Sequence, residues 1–446
     1  MKKYDSYKDS GIEWIGEIPE HWVSSKVKFE ILPKGYKAGP FGSSLITSEL
    51  LLQGTIKVFS PEHVAEKEIF EEWYLPEERA EEMSQFLVKD KDVVLPIVGT
   101  LGLARVFNSS SDGNGIINQR LARISCNPIK LIPEYFCIIM KDTRNYQEYF
   151  QIQARGSILS HLNKETIVSM PLVLPEIEEQ QLIINYLDHK TTQIDTLIAK
   201  KEQFISLLQE ERTAVINQAV TKGLDPKVKM KDSGIEWLGE IPEHWEVTRL
   251  GFLSSKIGDG LHGTPNYVDN SDFKFINGNN IGNGQISIYE HTKCVSEDEY
   301  IFNKKELNQN SILMSINGTI GNLGFYKGEK VMLGKSVAYI NIIDSKALNF
   351  TYKYLESESC KTYIDNQLSG STIKNLSLYS INKIPIPFPS FDEQKEIVDF
   401  ITIKTNEIDI LISKSQQKIE LLKEYKTALI SEVVTGKVDV RDVILN

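Results

Sequence analysis

Two stretches of the chain carry hydrophobic residues at alternating three- and four-residue steps, the spacing of a coiled-coil seam. The first gives Ile184, Leu187, Thr191, Ile194, Ile198, Lys201, Ile205, Leu208, Arg212, Val215 and Ala219. The second gives Val398, Ile401, Thr405, Ile408, Ile412, Ser415, Ile419, Leu422, Lys426, Leu429 and Val433. The polar exceptions fall at the same three places in both. Each stretch follows a proline (Pro175, Pro389), opens with acidic residues and closes at a glycine, which is helix punctuation. The pattern predicts two helices of about 45 residues, roughly 65–70 Å long at 1.5 Å per residue, paired with each other.

Between these helices the pattern changes. Residues 23–174 and 247–388 hold short β-branched and aromatic runs such as VVLPIV, INQRLARIS and SVAYINII, broken by Gly, Asn, Pro and Ser. Such runs read as short strands joined by loops. One helix is expected in each region, over PEYFCIIMKDTRNYQEYFQIQA and NFTYKYLESESCKTYIDNQ.

The chain repeats itself. Residues 9–22, DSGIEWIGEIPEHW, and 232–245, DSGIEWLGEIPEHW, differ at one position. GTLG at 99–102 matches GTIG at 318–321, GSILSHL at 156–162 matches GSTIKNL at 370–376, and MPLVLP at 170–175 matches IPIPFP at 384–389. Between these motifs the halves diverge, and GYKAGPFGSSL at 35–45 has no counterpart near IGDGLHGTPNYV at 257–268. The expected fold is α+β: a pseudo-two-fold tandem repeat with two mixed α/β heads joined by two long antiparallel coiled-coil helices. Its parts are a first head with lead-in (1–174), a spacer helix (175–222), linker, lead-in and second head (223–388), a second spacer helix (389–436) and a tail (437–446). Helix 2 ends where the chain's own N-terminal sequence ought to follow, so the tail is expected beside the N-terminal segment.

A net charge of −11 over 446 residues argues against nucleic-acid binding only if the acid is evenly spread. It is not. The helices and lead-in segments carry nearly all of it, while the two heads sum to about zero, and the first head confines nine acidic residues to 62–82. Outside that block the first head is basic, a distribution compatible with DNA.

The chain has no Walker loop, HExxH, GxSxG elbow or paired Cys/His metal spacing. Its four cysteines (Cys126, Cys137, Cys294, Cys360) lie far apart, as ordinary thiols of a reducing compartment do. No apolar run approaches the ~18 residues of a membrane span, and the N-terminus lacks a signal-like apolar core. We expect a cytoplasmic, non-catalytic protein with no metal and no membrane contact. A coiled-coil scaffold with two protein-binding heads is the alternative.

Duplicated frame, divergent inserts, paired long helices, EIPEHW at each lead-in and GS-(x)n-L before each exit strand together resemble the DNA-specificity (S) subunit of type I restriction–modification systems. GPFGSSL at 39–45 and DGLHGTP at 259–265 are also similar to openings of that family's target-recognition domains. The resemblance implies that each head reads one half of a bipartite site in double-stranded DNA. It implies that the helices set the spacing and dock two methyltransferase (M) subunits, with restriction (R) subunits in the full complex. S-adenosylmethionine, ATP and Mg would belong to those partners, and no cofactor to this chain.

Candidate DNA contacts follow from residue type and place. Lys34 and Lys37 flank the first recognition loop, which holds Ser43 and Ser44. Arg105, Arg120 and Arg123 lie on expected strands, and arginine is the commonest reader of guanine. Arg155 and Lys374 adjoin the GS turns. Lys256, His262, Thr264, Asn266, Asn279, Asn280 and Lys335 complete the set in the second head. Trp14, Trp22, Trp237 and Trp245 recur identically in both halves, whereas base reading should differ, so they are assigned to packing.

Overall fold

The computed structural model describes residues 2–445 apart from 41–44, 68, 70, 80, 100–101, 154–161 and 369–373. The chain divides into two compact units. One comprises Met1–Lys201 with Gln417–Asn446, the other Glu202–Gln416. Each long helix (Ile177–Lys222 and Phe391–Val434) starts in one unit and ends in the other.

The first unit opens with a small hairpin, β1 (Tyr7–Asp9) and β2 (Glu17–Pro19). Then come β3 (Val23–Lys26), β4 (Ile31–Ala38), β5 (Ile56–Phe59), β6 (Tyr74–Leu75), β7 (Val93–Pro96), β8 (Arg105–Val106), β9 (Asn114–Ile117), β10 (Leu121–Cys126) and β11 (Pro171–Leu174). The principal sheet is antiparallel with order β4-β10-β7-β8. A second sheet has order β6-β5-β9, with β5 and β9 parallel. Strand β3 pairs with β11 at the foot of the long helix.

The second unit repeats this plan with β12 (Met230–Asp232), β13 (Glu240–Pro242), β14 (Glu246–Arg249), β15 (Ser254–Asp259), β16 (Tyr267–Val268), β17 (Lys274–Ile276), β18 (Ile281–Gly282), β19 (Gln285–Ile286), β20 (Cys294–Val295), β21 (Ser311–Ser315), β22 (Leu323–Phe325), β23 (Val331–Leu333), β24 (Val337–Ile342) and β25 (Pro385–Phe388). Its principal sheet is β15-β24-β21-β22, and its second sheet, β16-β20-β17-β23, likewise has one parallel pair, β17 with β23.

The apolar runs seen in sequence are the central strands, which are buried on both faces. In β24, Ala338, Ile340 and Ile342 join the core beneath the helices, while Val337 and Tyr339 join a smaller core on the other side. Strand β7 does the same with Val93 and Leu95 against Val94. A strand covered on both faces reads as a continuous apolar run.

The single helix expected in each head is a pair. It breaks at Thr143, between Pro133–Asp142 and Arg144–Gln153. It breaks again at Ser357, between Ser345–Glu356 and Glu358–Gln367. Ser357 is extended and its hydroxyl accepts from Cys360 N, an N-cap that competes with continued helix. Among the described residues no helix is long and apolar enough to cross a membrane.

All twenty-two seam positions of the long helices are buried or half-buried. Two of the shared polar exceptions have partners on the opposite helix. In the first unit Lys426 Nζ donates to Asp195 at 2.8 Å. In the second unit Arg212 Nε lies 3.3 Å from Asp409. Both observations fit antiparallel neighbours. Half-exposed pairs of this kind contribute only ~0.2–1 kcal/mol each, so they set register more than stability.

The helix ends are held by the lead-in motif. Trp22 and Trp245 are fully buried, and an indole N–H in such a place needs an acceptor. Trp22 Nε1 donates to Glu179 Oε1 at 3.2 Å and Trp245 Nε1 to Glu393 Oε1 at 3.0 Å. The preceding histidines bind the other oxygen of each carboxylate, at 2.8 Å for His21 and 3.0 Å for His244. Each acid stands in the first turn of a long helix, where the macrodipole favours it.

The other long helix ends on the same motif. Gly436 has φ +74°, and a Cβ there would lie 2.3 Å from Pro19 Cδ. Gly223 has φ +73°, and its Cβ would stand 3.3 Å from Trp245. In the first unit this joint is made by distant parts of the chain. Asp439 N donates to Lys2 O at 2.9 Å, Lys2 is ion-paired with Asp439 and Asp442, and Arg441 lies over the Tyr4 ring. The tail therefore lies beside the N-terminal segment. Arg441 hydrogen bonds hold the Asp439 carboxyl below the usual carboxylate range.

The two joints are not equal. Tyr4 donates to Glu179 at 2.7 Å, but the repeat places Lys227 where the second joint would need a tyrosine. Glu179→Leu removes the acceptor of three donors, two of them buried, and should lower stability by about 2–4 kcal/mol; Glu393→Leu removes the acceptor of two in a wetter site and should cost less, about 1–2 kcal/mol. Urea unfolding followed by tryptophan fluorescence measures both, and equal losses would show that Tyr4 adds nothing.

Candidate nucleic-acid interface

Antiparallel pairing decides which loops meet. Asp259 at the end of β15 faces Ala338 at the start of β24, and Ser315 at the end of β21 faces Val337. The segments 260–266, 316–322 and 334–336 therefore leave the principal sheet at one rim. A fourth joins them: Leu376 N donates to Ile316 O at 3.0 Å, and Asn317 bridges to Asn375.

The first head builds the same rim. Ala38 faces Ala122 and Pro96 faces Leu121. Ile97 N donates to Arg120 O at 2.8 Å, and Leu162 N to Ile97 O at 2.9 Å. The motifs that stood apart in sequence are thus gathered at one end of each sheet.

One glycine per head makes the rim possible. A Cβ at Gly39 would lie 1.8 Å from Asn118 O, and one at Gly260 would lie 2.2 Å from Leu333 O. Each lets the backbone leaving the first strand touch the turn ahead of the central strand, through Gly39 N to Leu121 O at 2.8 Å and Gly260 N to Val337 O at 3.1 Å. This corrects the expectation that GYKAGPFGSSL and IGDGLHGTPNYV have no correspondence. They are equivalent openings, in which a backbone approach is retained and side chains are not. The glycines that bracket the turns after β7 and β21 agree in φ: Gly99 and Gly102 have +89° and +82°, Gly318 and Gly321 +76° and +88°.

The candidate residues separate accordingly. Lys335 and Lys374 are exposed at the rim, with no ion pair among the described residues. His262 is exposed there with Nε2 2.7 Å from Asp259, and Thr264 and Asn266 are exposed on the same loop. Asn279 is exposed on a turn that abuts the rim, where Gly278 N donates to Ser336 Oγ at 2.9 Å. Arg120 is exposed at the rim of the first head, 3.6 Å from Glu62. Ser43, Ser44 and Arg155 lie outside the described residues, as do both GS dipeptides.

Six candidates are engaged by other groups of the fold or stand away from the rim. The Arg123 side chain is 11% exposed and held by Asp92 at 3.3 Å and Ser125 at 3.1 Å. Asn280 is buried and spends its side chain on the turn, accepting from Asn277 N at 3.0 Å and donating to Ser287 O at 2.9 Å. Arg105 sits on the edge strand β8 and is held by Asp112 at 2.6 Å and Glu66 at 3.4 Å. Lys256 and Lys34 stand toward the other end of their strands, Lys256 paired with Glu306 at 2.9 Å and Lys34 in a β-bulge with φ +61°. Lys37 is near the rim but occupied, donating to Gln85 at 2.6 Å and lying over the Phe86 ring.

Sequence reasoning missed Gln119, which is exposed at the tip of the rim turn. Alignment of the turns ahead of β10 and β24 would have found it, because it stands opposite Lys335.

The rim of the second head presents the ammonium groups of Lys335 and Lys374 and the exposed His262, Thr264 and Asn266. Among the described residues no group of His, Cys, Asp and Glu could hold a metal. All four cysteines are buried thiols, and burial pushes those of Cys126 and Cys360 up to about 12, away from reactive thiolate.

Replacing Arg123 with leucine should therefore act on folding. It leaves the buried Asp92 carboxylate short of its counter-charge, for a loss of roughly 2–4 kcal/mol, and the preferred DNA sequence should stay as in the parent. Paired unfolding and binding-site selection measure this, and a changed sequence would restore Arg123 as a reader.

A family model described as type I restriction modification DNA specificity domain matches residues 39–206 and 242–421. The chain is 23% identical over 454 residues to the type I restriction enzyme MjaIX specificity subunit of Methanocaldococcus jannaschii, covering 96% of each. In fold it is similar to the HsdS subunit from Thermoanaerobacter tengcongensis, with TM-score 0.56 over 94% of this chain and 98% of that one at 14% identity. It is also similar to a chain from work on complex assembly and conformational transition of the type I R-M system, with TM-score 0.67 over 94% and 99% at 14% identity.

Proposed function

Because this chain belongs to the family of type I restriction modification DNA specificity domains, we propose that it is the targeting subunit of such a complex. Each head reads one half of a bipartite site in double-stranded DNA. The long helices set the distance between half-sites and dock two methyltransferase subunits. Methylation, and cleavage where a restriction subunit is present, belong to those partners, together with S-adenosylmethionine, ATP and Mg.

One observation supports this most. The two heads build the same rim from the same backbone interactions, yet its exposed side chains differ. A surface serving a common partner would be expected to keep its side chains in both copies. One that reads two different half-sites keeps the scaffold and varies the tips. The charge distribution agrees, since the acid is concentrated in the frame and the first head's 62–82 block.

Two experiments test the reading. Replacing residues 23–174 by the corresponding head of another family member should change one half of the selected sequence and leave the other. If both halves changed, or neither, modular reading would be wrong. Inserting one heptad in each long helix lengthens the spacer by about 10 Å, so the preferred gap between half-sites should grow by about 3 bp at 3.4 Å per pair. A gap that stays constant would remove the helices as the ruler.

A further inference from the structure

The turn ahead of the central strand is the place on the rim where one backbone carries two chemistries. Asn118 N donates to Phe59 O at 3.0 Å, and Leu121 N closes on Asn118 O at 3.1 Å. In the second head Gly334 N donates to Ile276 O at 2.9 Å, and Val337 N closes on Gly334 O at 3.0 Å. The two turns make the same pair of backbone hydrogen bonds. Each is backed by the close approach of Gly39 or Gly260, so the tip residue stands on a rigid support.

Ser336 and Asn118, beside the tips, spend their side chains on the scaffold, while Arg120 follows the first tip as an exposed guanidinium 3.6 Å from Glu62. Ser336 Oγ donates to Asn277 Oδ1 at 3.1 Å and accepts from Gly278 N at 2.9 Å. Asn118 Oδ1 accepts from Arg120 N at 2.9 Å. The tips themselves, Gln119 and Lys335, are exposed, and their side chains have no hydrogen-bond or ion-pair partner among the described residues.

A phosphate clamp carries no sequence information and gains nothing from differing between heads. A neutral amide brings no charge to a phosphate but pairs bidentately with the N6 and N7 edge of adenine, and an ammonium pairs with O6 and N7 of guanine. We propose that Gln119 and Lys335 are the equivalent base-reading positions of the two heads, Gln119 for adenine and Lys335 for guanine, each in the major groove of its half-site. This rests on the DNA-targeting reading above.

The test uses the full chain assembled with its methyltransferase subunits and a pool of randomised duplex DNA. The parent complex should enrich a bipartite sequence. Lys335→Gln should convert one guanine of one half-site to adenine and leave the other half-site intact, with discrimination at that base pair changing about 10- to 100-fold. Gln119→Lys should do the reciprocal in the other half-site. Lys335→Ala should relax the same base pair without a new preference. Both tips are exposed, so thermal unfolding midpoints should match the parent.

Variants that enrich the parent sequence overturn the assignment. If affinity falls evenly for all sequences the tips are phosphate contacts, and if it is unchanged they stand off the DNA. A parent complex that enriches no sequence overturns the targeting reading itself, and the assignment with it.

Discussion

The fold depends on a hydrogen bond from a buried tryptophan to a carboxylate in the first turn of a long helix. Trp22 with Glu179, and Trp245 with Glu393, fix where each long helix begins. The same lead-in motif receives the end of the other long helix, at Gly436 and at Gly223. An antiparallel pair clamped at a helix start and a helix end has little freedom to slide. Seam residues then supply apolar burial, and the Asp195–Lys426 and Arg212–Asp409 pairs select register within each unit.

This arrangement separates rigidity from recognition. The seam residues and joint tryptophans of the frame are buried or half-buried, and the frame carries most of the negative charge. The heads hang from it by β3 with β11 and by β14 with β25, each carrying a sheet whose far rim is built of loops. At that rim a missing Cβ at Gly39 and Gly260 allows two backbone segments to touch. Tip side chains such as those of Gln119 and Lys335 can vary without disturbing the sheet below, because neither forms the contact.

Much of the fold was legible from residue spacing. Three-four periodicity located both long helices, since burial along one stripe demands that repeat. The near-identity of DSGIEWIGEIPEHW and DSGIEWLGEIPEHW revealed the duplication and pointed to packing roles for the tryptophans. The site was less legible. Arg123 and Asn280 read as DNA contacts by residue type, but one lies beside the buried Asp92 and the other closes a turn. Gln119 was passed over because nothing in INQRLARIS marks which residue stands at a tip. The helix break at Ser357 was hidden because a cap residue is also tolerated inside a helix.

Sequence alone determined the repeat, the paired helices, the absence of familiar catalytic motifs and the family, because periodicity and near-identity are properties of order along the chain. Tertiary structure decided which loops form the rim, that Gly39 and Gly260 correspond, and which polar residues remain free to meet DNA. Those depend on distances between residues far apart in sequence. A guanidinium is a reader or a core ion pair according to whether a carboxylate lies within a few ångströms, and only the folded chain sets that distance.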